Sequence, residues 1–203
     1  MIYEINNFIY MGFLDNQTVC DDLINFYKSN QDLVTEGRVS QDGVNKTIKK
    51  DIKESFDLSV PIKDALNNPK FSTFNNFLSQ LKTISENYIK HFPYCNEFSP
   101  WGITEDLNLQ HYIPGAGFKK WHTERTSPAG VNASRHLVWM TYLNDVTDQG
   151  ETDFYHQRIK IKPKKGLTII WPADWTHTHR GIPSPTQEKY VITGWYNYTP
   201  PAN

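Results

Sequence analysis

A chain of 203 residues, 38% of them hydrophobic and 21% charged, can bury one sizeable core but barely two. Its formal net charge of -1 gives no basis for binding nucleic acid or an anionic membrane surface. Two distant cysteines, Cys20 and Cys95, make neither a disulfide framework nor a metal-ligand spacing. No apolar run reaches membrane-spanning length, and Met1 to Asn6 lack a signal peptide's basic start, so the expected location is cytoplasmic.

After Asp15-Asn16-Gln17-Thr18, the residues Val19, Leu23, Phe26 and Tyr27 recur at helical spacing, with Asp or Asn available as the cap. Between 35 and 60, Gly37 and Asp42-Gly43 break any long period, while Phe56, Leu58 and Val60 alternate as a short strand does. Phe71, Phe74, Leu78, Leu81, Tyr88 and Phe92 form a second helical stripe, ended by Pro93, which reads as a core-facing support. From about residue 100 the pattern becomes short strands with turns between them. Leu107 to Tyr112 runs into the turn Pro114-Gly115-Ala116-Gly117, and a polar loop follows over 125–134. His136 to Leu143, Arg158 to Lys162, Leu167 to Trp171 and Lys189 to Tyr198 complete the series. The expected fold is mainly β, with supporting α-helices over 1–100 and a jelly-roll core (a double-stranded β-helix) over 101–203, in a single domain.

The chemistry concentrates at Trp121-His122-Thr123-Glu124. On an extended strand, His122 and Glu124 share a face and offer a divalent metal one imidazole nitrogen and one hard oxygen. A third ligand must come from elsewhere, and two histidines and one carboxylate would make the facial triad of non-haem Fe(II) oxygenases. His177 and His179 form a second alternating pair, and position alone does not choose between them. His91, His111, His136 and His156 read as ordinary residues. On the last strand Lys189, Val191, Thr193 and Trp195 share a face, so an inward Lys189 needs an anion, either a protein carboxylate or a bound dicarboxylate. His136, Val138, Met140 and Tyr142 share a face of an earlier strand, which would let the Tyr142 hydroxyl meet the same anion.

From Leu109 to Tyr196 the chain resembles the prolyl 4-hydroxylase branch of the Fe(II)/2-oxoglutarate dioxygenases. The matching stretches are Tyr112-Ile113-Pro114-Gly115, His122-Thr123-Glu124, Thr141 to Val146, Gly150 to Phe154, Ile161 to Gly166, His179 to Pro183 and Lys189-Tyr190. The resemblance implies that His122, Glu124 and His179 hold Fe(II), and it favours His179 over His177. It implies further that Lys189, helped by Tyr142 and Thr193, binds the distal carboxylate of 2-oxoglutarate, with Tyr112 near the metal and cosubstrate. Arg135 and Trp195 would line the substrate side, and the 125–134 loop would be its edge or lid. The implied reaction consumes O2, with ascorbate as a reductant, decarboxylates 2-oxoglutarate to succinate and CO2, and hydroxylates an unactivated C–H. The implied substrate is a proline in a peptide or protein; the lack of a signal peptide argues against a secretory-pathway collagen enzyme, so the expected source is microbial or viral. Glu124 departs from the family's usual aspartate. A cupin-type metal enzyme without 2-oxoglutarate, or a non-catalytic jelly roll that binds sugar or peptide, also fits the residues; metal content and cosubstrate dependence separate the three.

Overall fold

Which way each strand faces is decided by the alternation of its side chains, and here it yields two stacked sheets with helices behind the larger one. A computed structural model describes residues 7–40 and 46–200, so the Asp42-Gly43 break and the Met1 to Asn6 stretch lie outside the described residues. The first strands are β1 (Tyr10–Phe13), β2 (Thr35–Glu36), β3 (Val39–Ser40), β4 (Lys46–Thr47), β5 (Phe56–Val60) and β6 (Trp101–Gly102). Then come β7 (Leu107–Tyr112), β8 (Arg135–Tyr142), β9 (Thr152–Phe154) and β10 (Ile159–Ile161). The last are β11 (Leu167–Pro172), β12 (His179–Gly181) and β13 (Lys189–Tyr198). The main sheet runs β1-β11-β8-β13-β7-β5-β2 with β6 paired to β13, the smaller sheet runs β10-β9-β12, and β3 pairs with β4.

The helices are α1 (Thr18–Ser29), α2 (Ile62–Asn67) and α3 (Ser72–His91). Asn16 accepts from the main-chain N–H and the hydroxyl of Thr18, tying down the start of α1 from two residues before it. Helix α3 buries Phe74, Phe77, Leu81, Ile84 and Tyr88, a three-four spacing that makes one face. Leu78, expected in that stripe, is only partly buried, and Phe77 and Ile84 carry the face in its place. Lys90 and His91 sit in the last turn, where the helix dipole favours cations.

Those helix faces pack on Leu107, Leu109, Leu137, Trp139, Ile170, Ile192 and Tyr196 from one side of the main sheet. From the other side, Tyr112, Val138, Tyr142, Ile169, Trp171 and Val191 pack with Phe154 and Ile161 of the smaller sheet. Each such side chain stabilises by about 1.5–3 kcal/mol when fully buried. Two antiparallel sheets enclosing a second core make the jelly roll. Gly194 lets β13 pass close to its neighbour, for a Cβ there would lie 2.3 Å from Cζ2 of Trp139, its cross-strand partner. No helix of the described residues is long and apolar enough to cross a membrane.

Candidate active site

Trp121 to Glu124 forms no regular strand. It is a stretch that meets β12 at a single antiparallel bridge, His122 to His179. Each of these histidines donates its main-chain N–H to the other's carbonyl at 2.9 Å. The chain beyond is tied just as closely: the N–H groups of Glu124 and Arg125 and the hydroxyl of Thr123 all donate to the Ala173 carbonyl. His177 does not share a strand face with His179. It ends a 3-10 turn, Trp175–His177, and its Nε2 donates to the Asn7 carbonyl at 2.8 Å. A spacing of two implies a common face only while both residues are extended.

Imidazole tautomers follow from the backbone. Nδ1 of His122 donates to the Lys120 carbonyl at 2.9 Å, and Nδ1 of His179 donates to the His177 carbonyl at 3.0 Å. Both Nε2 atoms therefore carry lone pairs, and they lie 3.6 Å and 3.5 Å from Oε1 of Glu124. Burial, then the neighbouring His179, pushes the pKa of His122 down, which keeps it neutral. Burial works against the ionised Glu124 carboxyl, and the Arg135 guanidinium beside Oε2 lowers its pKa and helps keep it charged. Electron pairs converging with no proton between them call for a cation. The ligand atoms lie within 4.8 Å of one another, and two nitrogens with one hard oxygen suit Fe(II). The residues present fit the ion.

Oε2, the other carboxylate oxygen of Glu124, is held from the opposite side. The indole Nε1 of Trp195 donates to it at 3.0 Å and Nη1 of Arg135 at 3.3 Å. Arg135 stacks 3.7 Å from the Trp195 ring centroid and is fixed by Glu105, through bonds of 2.8 and 2.6 Å. Alternation along β8 points to His136, rather than Arg135, as the inward residue. The register slips between Tyr196 and Asn197, so that Arg135 opposes Asn197 while Leu137 opposes Tyr196. His136 is the extra residue of this bulge and bonds the Cys95 carbonyl outside the site, and Arg135 turns inward.

Lys189, Val191, Thr193 and Trp195 line one cavity of about 670 Å³ together with the triad, Tyr112, Tyr142 and Arg135. Nζ of Lys189 donates to the Gly150 carbonyl at 2.9 Å and lies 5.2 Å from the Tyr112 ring centroid. That carbonyl is aimed by a turn in which Gln149 and Gly150 both have positive φ, 61° and 82°. No carboxylate among the described residues pairs with Lys189, and burial lowers its pKa to about 8. The Tyr142 hydroxyl contacts the Thr152 hydroxyl and the Ile161 carbonyl, not Lys189; both partners come from the smaller sheet. The Thr193 hydroxyl donates to the Trp139 carbonyl, and that of Tyr112 to Gln110. Sequence reasoning missed Glu105 and Gly150; Gly150 stands in a matching stretch, whereas Glu105 carries no local signal.

Two imidazoles and a carboxylate gathered on one side of a jelly-roll cavity define the ligand set of a mononuclear non-haem iron oxygenase. Residues 107–197 match the family described as the 2OG-Fe(II) oxygenase superfamily. The chain is a dioxygenase whose cofactors are Fe(II), 2-oxoglutarate and O2. A protein of Acanthamoeba polyphaga mimivirus named "Putative prolyl 4-hydroxylase" is 23% identical over 210 residues, covering 96% of this chain and 73% of the relative. Among solved structures, the viral collagen prolyl hydroxylase of Paramecium Bursaria Chlorella virus-1, in complex with 2OG, is 18% identical with a TM-score of 0.64; the match covers 95% of this chain and 97% of that one. A Trichoplax adhaerens prolyl hydroxylase bound to a hypoxia inducible factor peptide fragment is also 18% identical, with a TM-score of 0.69 and coverage of 95% and 84%.

Proposed function

We propose that this chain hydroxylates a prolyl residue of a peptide or protein, with His122, Glu124 and His179 as the iron ligands and Lys189 as the anchor of 2-oxoglutarate. One observation carries the reading: a buried, cavity-facing ammonium that no carboxylate among the described residues contacts, Glu151 acting only from a distance, stands in the same cavity as three converging ligand atoms. A dicarboxylate cosubstrate satisfies both, one end chelating the metal and the other pairing with Nζ. The bound iron, with 2-oxoglutarate and O2, supplies the oxidising chemistry that turns a C–H into C–OH as succinate and CO2 are formed. Backbone-bonded Nδ1 groups keep both Nε2 atoms turned to the ion. Arg135 and Trp195 take Oε2 and leave Oε1 for the metal. The prolyl assignment draws its support from the viral relative and from both hydroxylase structures.

The test is turnover by iron-loaded protein with 2-oxoglutarate, O2 and a pool of proline-containing peptides, followed by mass spectrometry. Iron-dependent succinate together with a 16 Da gain on peptide (one oxygen atom) is the expected result. Folded, iron-loaded protein that forms no succinate would reject the reading.

A further inference from the structure

The cavity is larger than its cosubstrate needs, and the surplus has a polar floor. Strand register sets cavity-facing side chains into rows across the main sheet. Ser59 of β5 opposes Asn108 of β7, Asn108 opposes Thr193 of β13, and Thr193 opposes Met140 of β8. All of these line the cavity. With strands about 4.8 Å apart, the path from Ser59 to Thr193 spans roughly 10 Å.

Asn108 differs from its row mates. Its Oδ1 is covered and has no hydrogen-bond partner, and of the described residues left with such a buried atom it is the one in this cavity's wall. A buried unpaired acceptor is costly and rare in a folded protein. The terminal torsion of an asparagine is broad, so a partial turn brings Oδ1 toward the cavity alongside Nδ2. A carboxamide offers donor and acceptor together, which is what a peptide group also presents. At neutral pH 2-oxoglutarate carries acceptors alone, so it leaves Oδ1 unsatisfied.

We propose that Asn108 docks the main chain of a polypeptide substrate, its carboxamide bonding one peptide group beside the target proline along the Ser59–Asn108–Thr193 row. This rests on the prolyl hydroxylase reading and adds a specificity to it. Proline has no N–H, so the docked peptide group takes its N–H from a non-prolyl neighbour. An uninterrupted run of prolines is therefore a poor substrate.

The experiment uses the iron-loaded full chain and blocked alanine-rich peptides, some with a single proline and some with a proline run. Asn108→Leu is expected to raise the single-proline peptide's KM about tenfold, the cost of one lost hydrogen bond, while the KM for 2-oxoglutarate stays within about twofold. Asn108→Ser, a milder change, should show the same split if the leucine variant folds poorly. An ester scan tests the contact itself, because replacing an amide N–H by oxygen removes the donor and weakens the carbonyl. One ester position should cost the wild type about tenfold and leave Asn108→Leu unaffected. A shift in 2-oxoglutarate KM alone, an ester penalty equal in both proteins, or succinate formation with no peptide modified would each overturn the docking role. Absence of any iron-dependent succinate would overturn the hydroxylase reading itself, and the docking with it.

Discussion

Glu124 reaches one methylene further than the aspartate usual in the family the chain resembles, and both of its oxygens are used. Oε1 faces the imidazoles while Oε2 takes bonds from Trp195 and Arg135. Glu124→Asp should therefore weaken metal binding by about 10–100-fold, because the shorter side chain cannot meet both sets of partners. A Mn(II) titration followed by electron paramagnetic resonance reads this directly; unchanged affinity would mean that the Oε2 contacts do not position the ligand. Lys189 gives a second prediction with a definite sign. Its pKa falls from 10.5 to about 8, because burial penalises the charged form. Between those values the unfolded chain binds the extra proton, so stability rises with pH across that window. Below about 8 both states are protonated, and the full cost, about 3 kcal/mol at 1.36 kcal/mol per unit, weighs on the fold. Lys189→Met should accordingly stabilise the protein at pH 7 by about 1–3 kcal/mol in urea unfolding, while raising the 2-oxoglutarate KM at least tenfold. In the wild type, affinity for 2-oxoglutarate should fall as pH climbs through about 8, since a neutral amine cannot pair with the carboxylate.

Strand β13 is the element on which the site depends, with one face in the cavity and the other against the helix layer. Its bounds are visible in the sequence because Lys189 to Tyr198 is rich in β-branched and aromatic residues and lies between turn residues. Alternation misplaces His136, since the bulge is created by pairing with Asn197 and leaves no mark on β8's own residues. It also misplaces His177, where a 3-10 turn of three residues interrupts the period before β12 begins. Helix α2, six residues long, is too short to show a period at all. Ligand residues were thus legible as candidates, while their partners across the fold, Glu105 and Gly150, depend on long-range pairing that no local pattern carries. Gly194 tests the strand's packing. A Cβ at 2.3 Å from the Trp139 ring must displace that ring or the strand, so Gly194→Ala should destabilise by about 1–3 kcal/mol. A thermal melt checks it, and an unchanged Tm would show that the helix-side core yields more easily than its burial implies.

At the scale of the molecule, the site is a clamp between layers. His179 belongs to the smaller sheet, Lys189 to the main sheet, and His122 and Glu124 to the segment that bridges toward β12. On the proposed reading, a metal held by the triad, with 2-oxoglutarate reaching Lys189, would add a link between elements that already meet through side-chain packing, the His122–His179 bridge and main-chain bonds such as those to the Ala173 carbonyl. Binding to the folded state alone stabilises it by mass action, about 2.7 kcal/mol at a hundredfold excess over Kd. For a chain of this size each kcal/mol moves Tm by about 2–4 °C, so Mn(II) plus 2-oxoglutarate should raise Tm by about 5–10 °C under those conditions. The two contributions separate by mutation. Lys189→Met should keep the metal increment and lose the part due to 2-oxoglutarate, whereas His179→Ala should lose both, because the cosubstrate chelates through the ion. His177→Ala, which frees the Asn7 carbonyl and no metal ligand, should lower the baseline Tm yet respond to metal and 2-oxoglutarate as the wild type does. Scanning calorimetry of the four proteins, with and without each ligand, gives the comparison; a His177→Ala protein that no longer responds to metal would transfer the third ligand from His179 to His177 and move the clamp off β12.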